Sequence, residues 1–285
     1  MGEIAKVGVI GAGTMGNGIA QACAAAGIDV VMVDVADAAV QRGIGAIGAS
    51  LDRLVKKEKL TADARAQALA RVQGATDYAA LADCGLVIEA ATENLELKLT
   101  ILRQADKLAR PETLIASNTS SISITALAAA TSRPDRFLGM HFFNPVPMMA
   151  LVELIRGLQT SDATVATAKR LAERLGKAPI TVRNSPGFVV NRILCPMINE
   201  AIFALQEGIA TAEEIDAGMK LGCNHPIGPL ALADLIGLDT MLSVMEVFYQ
   251  GFNDPKYRPA PLLKEMVAAG HLGRKTGQGF YSYGK

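Results

Sequence analysis

The sequence has no excess of charge of either sign. Its 285 residues include 28 Lys and Arg against 28 Asp and Glu. Such a balance produces no global field that would attract nucleic acid or an anionic membrane. The sequence also lacks any apolar run of the roughly 18 residues that a membrane-spanning helix requires. We therefore expect neither nucleic acid nor a membrane as a partner.

Cysteine is scarce, and no two cysteines form a C-x-x-C pair. The four cysteines are Cys23, Cys84, Cys195 and Cys223. We interpret them as buried, reduced thiols, which are typical of a reducing compartment. The first predicted strand begins so near the N-terminus that no room is left for a signal peptide. We therefore expect a cytoplasmic protein, and we assign no metal site.

A glycine-rich turn follows the first predicted strand, Lys6 to Ile10. The turn reads Gly11-Ala12-Gly13-Thr14-Met15-Gly16, which is a G-x-G-x-x-G pattern, and an apolar helical stretch follows it. Gly11 permits a tight turn, Gly13 lets the backbone approach a pyrophosphate, and Gly16 lets the helix pack close to the strand. The helix N-terminus then offers free N–H groups and partial positive charge to the phosphates.

An acidic residue ends the second predicted strand, Asp29 to Val33. Asp34 lies 18 residues after Gly16. Its carboxylate can accept hydrogen bonds from both ribose hydroxyls and would repel a 2′-phosphate. A lone G-x-G-x-x-G is weak evidence, but a strand before it and an acid after it strengthen the interpretation. We predict a dinucleotide-binding unit that takes NAD.

Strands and helices alternate through the first two thirds of the chain. Further strands are predicted at residues 75–77, 86–90, 114–117, 136–143, 151–155 and 179–182. Helices at 37–59 and 62–72 are joined by a short turn and should form a helical hairpin. This alternation predicts an α/β fold with a Rossmann-type, doubly wound, mostly parallel sheet.

The pattern changes after Asn184, because no clear strand follows. Helices are predicted at residues 189–207, 212–221, 230–250 and 261–269. We expect an NAD-binding domain at 1–184 and an all-α C-terminal domain at 185–285, which forms the substrate cleft and a dimer interface. The helical region is rich in Met and aliphatic residues with few charges, so we expect a homodimer through it.

Polar residues follow the predicted strands at the edge where a cofactor would lie. Glu93, Asn118 and Ser120 are the main candidates, since strand carboxyl ends in a doubly wound sheet face the cofactor crevice. The alternative is ordinary helix capping, because Ser and Asn are favoured caps.

His141 and Glu153 form the strongest catalytic candidate. Glu153 stands in an otherwise apolar strand, and an unpaired buried carboxylate is costly. His141 lies twelve residues earlier across a compact turn. Neutral His141 could remove an alcohol proton while hydride leaves, and Glu153 would fix its tautomer. Ser120 and Asn191 are neutral donors that could polarise a carbonyl.

Several motifs together resemble the 3-hydroxyacyl-CoA dehydrogenase family. They are the glycine turn, Ala116-Ser117-Asn118-Thr119-Ser120-Ser121, His141-Phe142-Phe143-Asn144-Pro145, Pro186-Gly187-Phe188-Val189-Val190-Asn191-Arg192 and Gly273-Arg274-Lys275-Thr276-Gly277-Gln278-Gly279-Phe280-Tyr281. The resemblance covers essentially the whole chain. It is greatest to the short, single-function bacterial members of the family, the 3-hydroxybutyryl-CoA dehydrogenases.

The resemblance implies roles for individual residues. His141 would be the base, Glu153 its partner, and Ser120 and Asn191 substrate ligands. The residues that would line the NAD site with the glycine turn are Asp34, Glu93, Lys98, Asn118, Ser120, Asn144 and Lys275. On charge alone the basic face of the hairpin is more simply a solvated surface. The resemblance instead implies that Ser50, Arg53 and Lys57, together with Ser120, contact coenzyme A.

The expected activity is the NAD-dependent interconversion of 3-hydroxybutyryl-CoA and acetoacetyl-CoA, in fatty acid and butanoate metabolism. One alternative is 3-hydroxyadipyl-CoA oxidation in aromatic catabolism, which would use the same site. Dehydrogenases of free 3-hydroxyacids are a further alternative, but they use a lysine that is missing from Pro186 to Arg192. A non-catalytic nucleotide-binding protein on this scaffold would not require the His141–Glu153 pair.

Overall fold

The structure, a computed structural model, describes residues 3–284 and divides into two compact units. The first unit ends at Ser185 and the second begins at Pro186. The boundary predicted from the sequence, between residues 184 and 185, lies one position earlier.

The first unit contains a single eight-stranded sheet. The strands are β1 (Lys6–Ile10), β2 (Asp29–Val33), β3 (Val72–Ala75), β4 (Leu86–Glu89), β5 (Leu114–Ser117), β6 (Phe137–Phe142), β7 (Leu151–Arg156) and β8 (Ala178–Arg183). Their order is β3-β2-β1-β4-β5-β6-β7-β8. Every neighbouring pair is parallel except β6 and β7, which are antiparallel. The predicted doubly wound, mostly parallel sheet is confirmed.

Helices cover both faces of this sheet. They are α1 (Thr14–Ala25), α2 (Asp37–Lys56), α3 (Ala62–Ala70), α4 (Leu95–Leu108), α5 (Ile124–Ala128) and α6 (Asp162–Arg174). Ile19, Ile47 and Leu171 bring α1, α2 and α6 into the apolar core on one face. Ile101 and Ala105 of α4 pack into the core on the other. Burial on both faces explains why the central strands read as continuous apolar runs. Helices α2 and α3 pack against each other as the predicted hairpin.

The third strand begins earlier than predicted. Residues 75–77 were expected to form it, whereas β3 covers Val72–Ala75 and α3 ends at Ala70. The register pairs Val72 with Val30 and Gly74 with Met32 of β2. Pairing with β2 outweighs the local helical pattern of this segment, as tertiary context often does.

The regular elements of the second unit are helices, as predicted, and its described residues also form two isolated β-bridges, Gly273–Gln278 and Gln278–Ser282. Its helices are α7 (Val190–Gln206), α8 (Ala212–Gly222), α9 (Pro229–Ile236), α10 (Leu238–Phe252) and α11 (Pro261–Ala268). The prediction of one helix over 230–250 was wrong, because Gly237 separates α9 from α10 with φ of +101°. Side chains disfavour that backbone conformation, and glycine tolerates it. Across residues 3–284, no helix combines the length and apolar character needed to cross a membrane.

Two buried aspartates bind the tail of the second unit, here residues 280–283, to its helices. Asp234 in α9 accepts hydrogen bonds from the backbone N–H groups of Phe280 and Tyr281 and from the Tyr283 hydroxyl, at 2.9–3.0 Å. Asp216 in α8 accepts from the first turn of α9 and from the Tyr281 hydroxyl. Each buried carboxylate therefore has several donors, which is the condition for burying charge at acceptable cost.

Three of the four cysteines are buried, as predicted, but Cys223 is exposed. It follows the last residue of α8 and precedes Asn224, whose backbone is left-handed (φ +56°). All four are free thiols. Burial raises the pKa of Cys23 and of Cys195 to about 12, and that of Cys84 to about 11.

Native thiol titration with Ellman's reagent at pH 8 should therefore detect one fast thiol per chain, Cys223. A thiol of pKa near 12 is ionised in only roughly one molecule in ten thousand at that pH, and the thiolate is the reactive form. Denaturation should reveal all four thiols. Cys223→Ser should abolish the fast phase, and a second fast thiol in the native protein would contradict the structure.

Candidate active site

The carboxyl ends of β1, β4, β5 and β6 lie side by side in the sheet. After β1 the chain adds β2 and β3 on one side of β1. After β4 it adds β5 and β6 on the opposite side, so the order in which strands are added reverses between β1 and β4. In open α/β sheets a crevice forms outside the strand ends at this reversal. The segments that follow these four strands carry most of the residues predicted for the site.

The glycine turn after β1 has a distinct steric reason for each glycine. Gly11 has φ of +102°, and a Cβ there would lie 2.7 Å from the Ala91 Cα atom. A Cβ on Gly16 would lie 1.8 Å from the carbonyl oxygen of Gly11. Among residues 3–284, a Cβ on Gly13 would meet no atom within 4 Å beyond its own chain neighbours. Gly13 is also the N-cap of α1, and no side chain caps that helix within residues 3–284. Open space thus lies before a helix N-terminus whose N–H groups can receive a pyrophosphate.

Asp34 is tied to the same turn. Its two carboxylate oxygens accept hydrogen bonds from the backbone N–H groups of Ala12 and Val35, both at 2.8 Å. A carboxylate oxygen has two lone pairs, so this half-buried group retains acceptor capacity for ribose hydroxyls. The open turn and this oriented carboxylate fit NAD.

Glu93 and Ser120 are brought together, with Thr119 between them. The Glu93 carboxylate accepts from the Thr119 hydroxyl at 2.7 Å, from the Ser120 backbone N–H at 2.8 Å and from the Ser120 hydroxyl at 3.3 Å. Ser123, not Ser120, caps α5. The capping alternative therefore does not apply to Ser120. Thr119 was not singled out in the sequence, although it lies within the same polar run after β5.

Asn118 joins the ends of two strands. Its side-chain oxygen accepts from the Phe142 backbone N–H at 2.9 Å, and its own N–H donates to the Glu89 carbonyl at 2.8 Å. The side chain is buried. Asn118 thus fixes the end of β6, one residue from His141, relative to the end of β5.

His141 and Glu153 are paired as predicted. They face each other in the antiparallel register of β6 and β7, and Nδ1 of the imidazole lies 2.7 Å from the Glu153 carboxylate. Glu153 is fully buried, and His141 retains 6% exposure. The Phe143 ring stands beside the imidazole, with ring centroids 4.4 Å apart. A carboxylate at Nδ1 favours the tautomer whose proton is on Nδ1, and the lone pair is then on Nε2.

The Lys98 side chain is buried inside the first unit and is not exposed at the carboxyl ends of the strands. Its ammonium pairs with the Glu89 carboxylate and lies 3.3 Å from the Ser117 hydroxyl, which in turn donates to Glu89 at 2.8 Å. All three side chains are buried. Glu89 ends an apolar strand, which is the same signal that pointed to Glu153. Applied to Glu89, that signal would have predicted a cationic partner nearby.

The hairpin residues share one face of α2. Ser50 and Arg53 lie in the helix, and Lys57 is its C-cap. Arg53 and Lys57 are exposed, and within residues 3–284 neither forms a salt bridge to a carboxylate. Two uncompensated cations at i,i+4 spacing can serve a phosphate.

The remaining predicted site residues are placed as follows. Asn144 is exposed in the turn after β6, and Asn191 is the second residue of α7. In the second unit, the Lys275 ammonium binds the Asp239 carboxylate. Burial pushes the pKa of Asp239 upward, but hydrogen bonds from Lys275 and from the Thr240 backbone outweigh it, and the net shift is downward.

Comparison with protein families decides the classification. The model of the 3-hydroxyacyl-CoA dehydrogenase NAD-binding domain matches residues 6–185, and that of the C-terminal domain of the same enzymes matches residues 187–283. The chain belongs to the 3-hydroxyacyl-CoA dehydrogenase family. The resemblance noted in the sequence is thereby confirmed, as is NAD as the cofactor.

Other members of the family match nearly the whole chain. A protein of Deinococcus radiodurans named as a probable 3-hydroxybutyryl-CoA dehydrogenase is 56% identical, over 98% of this chain and 100% of its own length. The 3-hydroxybutyryl-CoA dehydrogenase of Bradyrhizobium diazoefficiens is 55% identical over 98% of this chain and 96% of its own. The crystal structure of (S)-3-hydroxybutyryl-CoA dehydrogenase from Ralstonia eutropha is 69% identical, with a TM-score of 0.97 over 99% of this chain and 100% of that one.

Two alanine substitutions should separate folding from cofactor binding in this family member. Gly13→Ala adds a methyl group to open space at an extended residue (φ −69°), so the melting temperature should stay near that of the wild type. The methyl group would obstruct the pyrophosphate, and NADH affinity should fall roughly tenfold or more, about 1.4 kcal/mol.

Gly16→Ala is the matched control, since its methyl group collides with the turn itself. It should destabilise the protein by about 3 kcal/mol and lower the melting temperature. Thermal unfolding and NADH fluorescence titration measure both effects. Wild-type affinity in the Gly13→Ala protein would show that the turn does not receive the pyrophosphate.

Proposed function

We propose that the protein is an NAD-dependent (S)-3-hydroxyacyl-CoA dehydrogenase that interconverts 3-hydroxybutyryl-CoA and acetoacetyl-CoA. The observation that carries this proposal is the His141–Glu153 pair, placed near the end of β6 in the same sheet whose β1 leads into the glycine turn. The names of full-length relatives supply the substrate. When bound, NAD supplies the acceptor or donor of hydride.

His141 is proposed as the group that moves the proton. In the oxidative direction Nε2 removes the hydroxyl proton of the substrate, so that negative charge can develop on the oxygen as hydride leaves. In the reductive direction the imidazolium returns the proton to the carbonyl oxygen. One ring nitrogen thus serves both directions.

Glu153 is proposed to orient and stabilise that ring. Its 2.7 Å contact to Nδ1 holds the ring plane and favours the proton on Nδ1. When His141 takes up a second proton, the fully buried carboxylate compensates the positive charge in a site with little solvent. Nε2 is then the ring nitrogen that is available to the substrate.

Substrate contacts are proposed at three places. The Ser120 hydroxyl and the Asn191 amide would donate to the substrate carbonyl, since neutral donors polarise it without titrating. Ser50, Arg53 and Lys57, with Ser120, would contact coenzyme A. The shared exposed face of Arg53 and Lys57 supports a phosphate-binding role.

The cofactor site is proposed to contain the glycine turn and Asp34 together with Glu93, Lys98, Asn118, Ser120, Asn144 and Lys275. The hydrogen bonds from Thr119 and Ser120 to Glu93 hold these side chains together at the carboxyl end of the sheet, which supports their place in the cofactor site. Lys98 would act through its buried bond to Glu89, because its side chain is not exposed.

We also propose a cytoplasmic homodimer that works in fatty acid and butanoate metabolism. Exposed apolar side chains on the helical unit, among them Ile193, Ile209 and Leu221, support an interface there. The four free thiols are consistent with a reducing compartment.

The purified protein should oxidise NADH in the presence of acetoacetyl-CoA, followed at 340 nm. NADPH should be a poorer reductant because Asp34 would repel a 2′-phosphate. The C6 dicarboxylic substrate 3-hydroxyadipyl-CoA, assayed with NAD, tests the alternative in aromatic catabolism. No turnover with any 3-ketoacyl-CoA or 3-hydroxyacyl-CoA, in a protein that binds NADH, would favour a non-catalytic role.

Replacement of the proposed base should abolish turnover while sparing the cofactor. His141→Ala should lower kcat by roughly a hundredfold or more, the usual contribution of a positioned general base. NADH affinity should remain close to that of the wild type.

Glu153→Gln should also lower kcat, because the neutral amide cannot compensate the positive charge of the imidazolium. His271→Ala, at an exposed histidine, is the matched control. Retained activity in His141→Ala would refute the assigned role.

A further inference from the structure

The segment of residues 144–149, here called the β6–β7 loop, follows the His141 strand and contains Asn144. Most of the loop is exposed: Met148 retains 73% and Met149 40% of its surface. Val146 is the exception, at 2%. Internal hydrogen bonds run from the backbone N–H groups of Met148 and Met149 to the Pro145 carbonyl. A loop with one buried side chain needs further contacts to hold a fixed position.

Lys177 supplies such contacts from one side. It lies between α6 and β8, and its ammonium donates to the carbonyl oxygens of Val146 at 2.6 Å and Met149 at 2.8 Å. Burial lowers the pKa of Lys177. Within residues 3–284 this ammonium makes no salt bridge to a carboxylate, so loop carbonyls are its principal acceptors. Hydrogen bonds to a charged donor are stronger than those between neutral groups.

Helix α1 supports the loop from the other side. A Cβ added to Gly18 would lie 2.9 Å from the Val146 Cβ and 3.0 Å from its Cγ2. Gly18 is buried in the second turn of the helix that begins at the glycine turn. The loop therefore rests on the cofactor-binding helix at Val146, and Lys177 holds the backbone of the same residue.

We propose that Lys177 is a positioning residue, whose ammonium fixes the β6–β7 loop against α1 and thereby places Asn144 for NAD(H). This rests on the proposed role of Asn144 in the cofactor site. Lys177 does not touch the reacting atoms in this scheme. Its effect on the reaction passes through the loop, so it should alter NADH affinity more than proton transfer by His141.

The test compares Lys177→Met with Lys169→Met, which removes an exposed lysine from the neighbouring helix α6. Lys177→Met should weaken NADH binding roughly fivefold or more, since two charge-assisted hydrogen bonds are lost. Hydrogen exchange should accelerate in a peptide covering residues 144–149 and remain unchanged in β1 and β4. Lys177→Arg keeps a cationic donor and should recover part of the affinity. The KM for NADH should rise more than kcat falls.

Gly18→Ala perturbs the same loop without touching Lys177. Its methyl group would displace Val146, although alanine favours the helix itself. Weaker NADH binding, together with faster exchange at residues 144–149, would support the proposal. Wild-type NADH affinity in Lys177→Met, equal losses in Lys169→Met, or faster exchange throughout the sheet would overturn it.

Binding and exchange need no substrate, so this test is independent of the proposed reaction. A wild-type protein that binds NADH but does not reduce acetoacetyl-CoA would refute the reaction alone. A Lys177→Met protein that binds NADH normally would refute the positioning role alone.

Discussion

The register between β6 and β7 determines where the proposed catalytic pair lies. Because His141 and Glu153 are direct partners in that ladder, the pairing of the two strands alone places the buried carboxylate beside the imidazole. A slip of one residue would turn the Glu153 side chain to the other face of the sheet and leave its charge buried without the histidine. The antiparallel pairing of β6 and β7 thus fixes the proposed base, and the parallel strands beside it bring the glycine turn to the same edge of the sheet.

Buried carboxylates perform the same structural task elsewhere in the chain. Glu89 joins α4 to β5 through Lys98 and Ser117, and Asp216 and Asp234 hold the tail of the helical unit. Each acid connects segments that are distant in sequence, and each has donors or a cation to compensate for lost hydration. Their burial therefore makes long-range contacts specific, since a misplaced segment would leave a carboxylate without partners.

Much of the fold could be predicted because its signals are local. The glycine turn, the apolar strands and the acid at position 34 are readable within thirty residues, and the His141–Glu153 pair follows from one acid in an apolar strand. The break at Gly237 was missed because apolar periodicity continues across it, and only a backbone with φ of +101° reveals two helices. The start of β3 depends on pairing with β2, and the contact of Lys177 with Val146 joins residues 31 positions apart. Neither the start of β3 nor the Lys177 contact produces a recognisable pattern in the sequence around it.

The attachment of the tail to Asp234 has a consequence for biosynthesis. The helical unit cannot satisfy this carboxylate until Tyr283 has been made and has left the ribosomal tunnel. The first unit carries its own core and sheet, so it can fold while the helical unit is still being translated. During that interval the apolar surfaces of α7, α9 and α10 lack their final packing. The helical unit therefore completes its packing later than the first unit can.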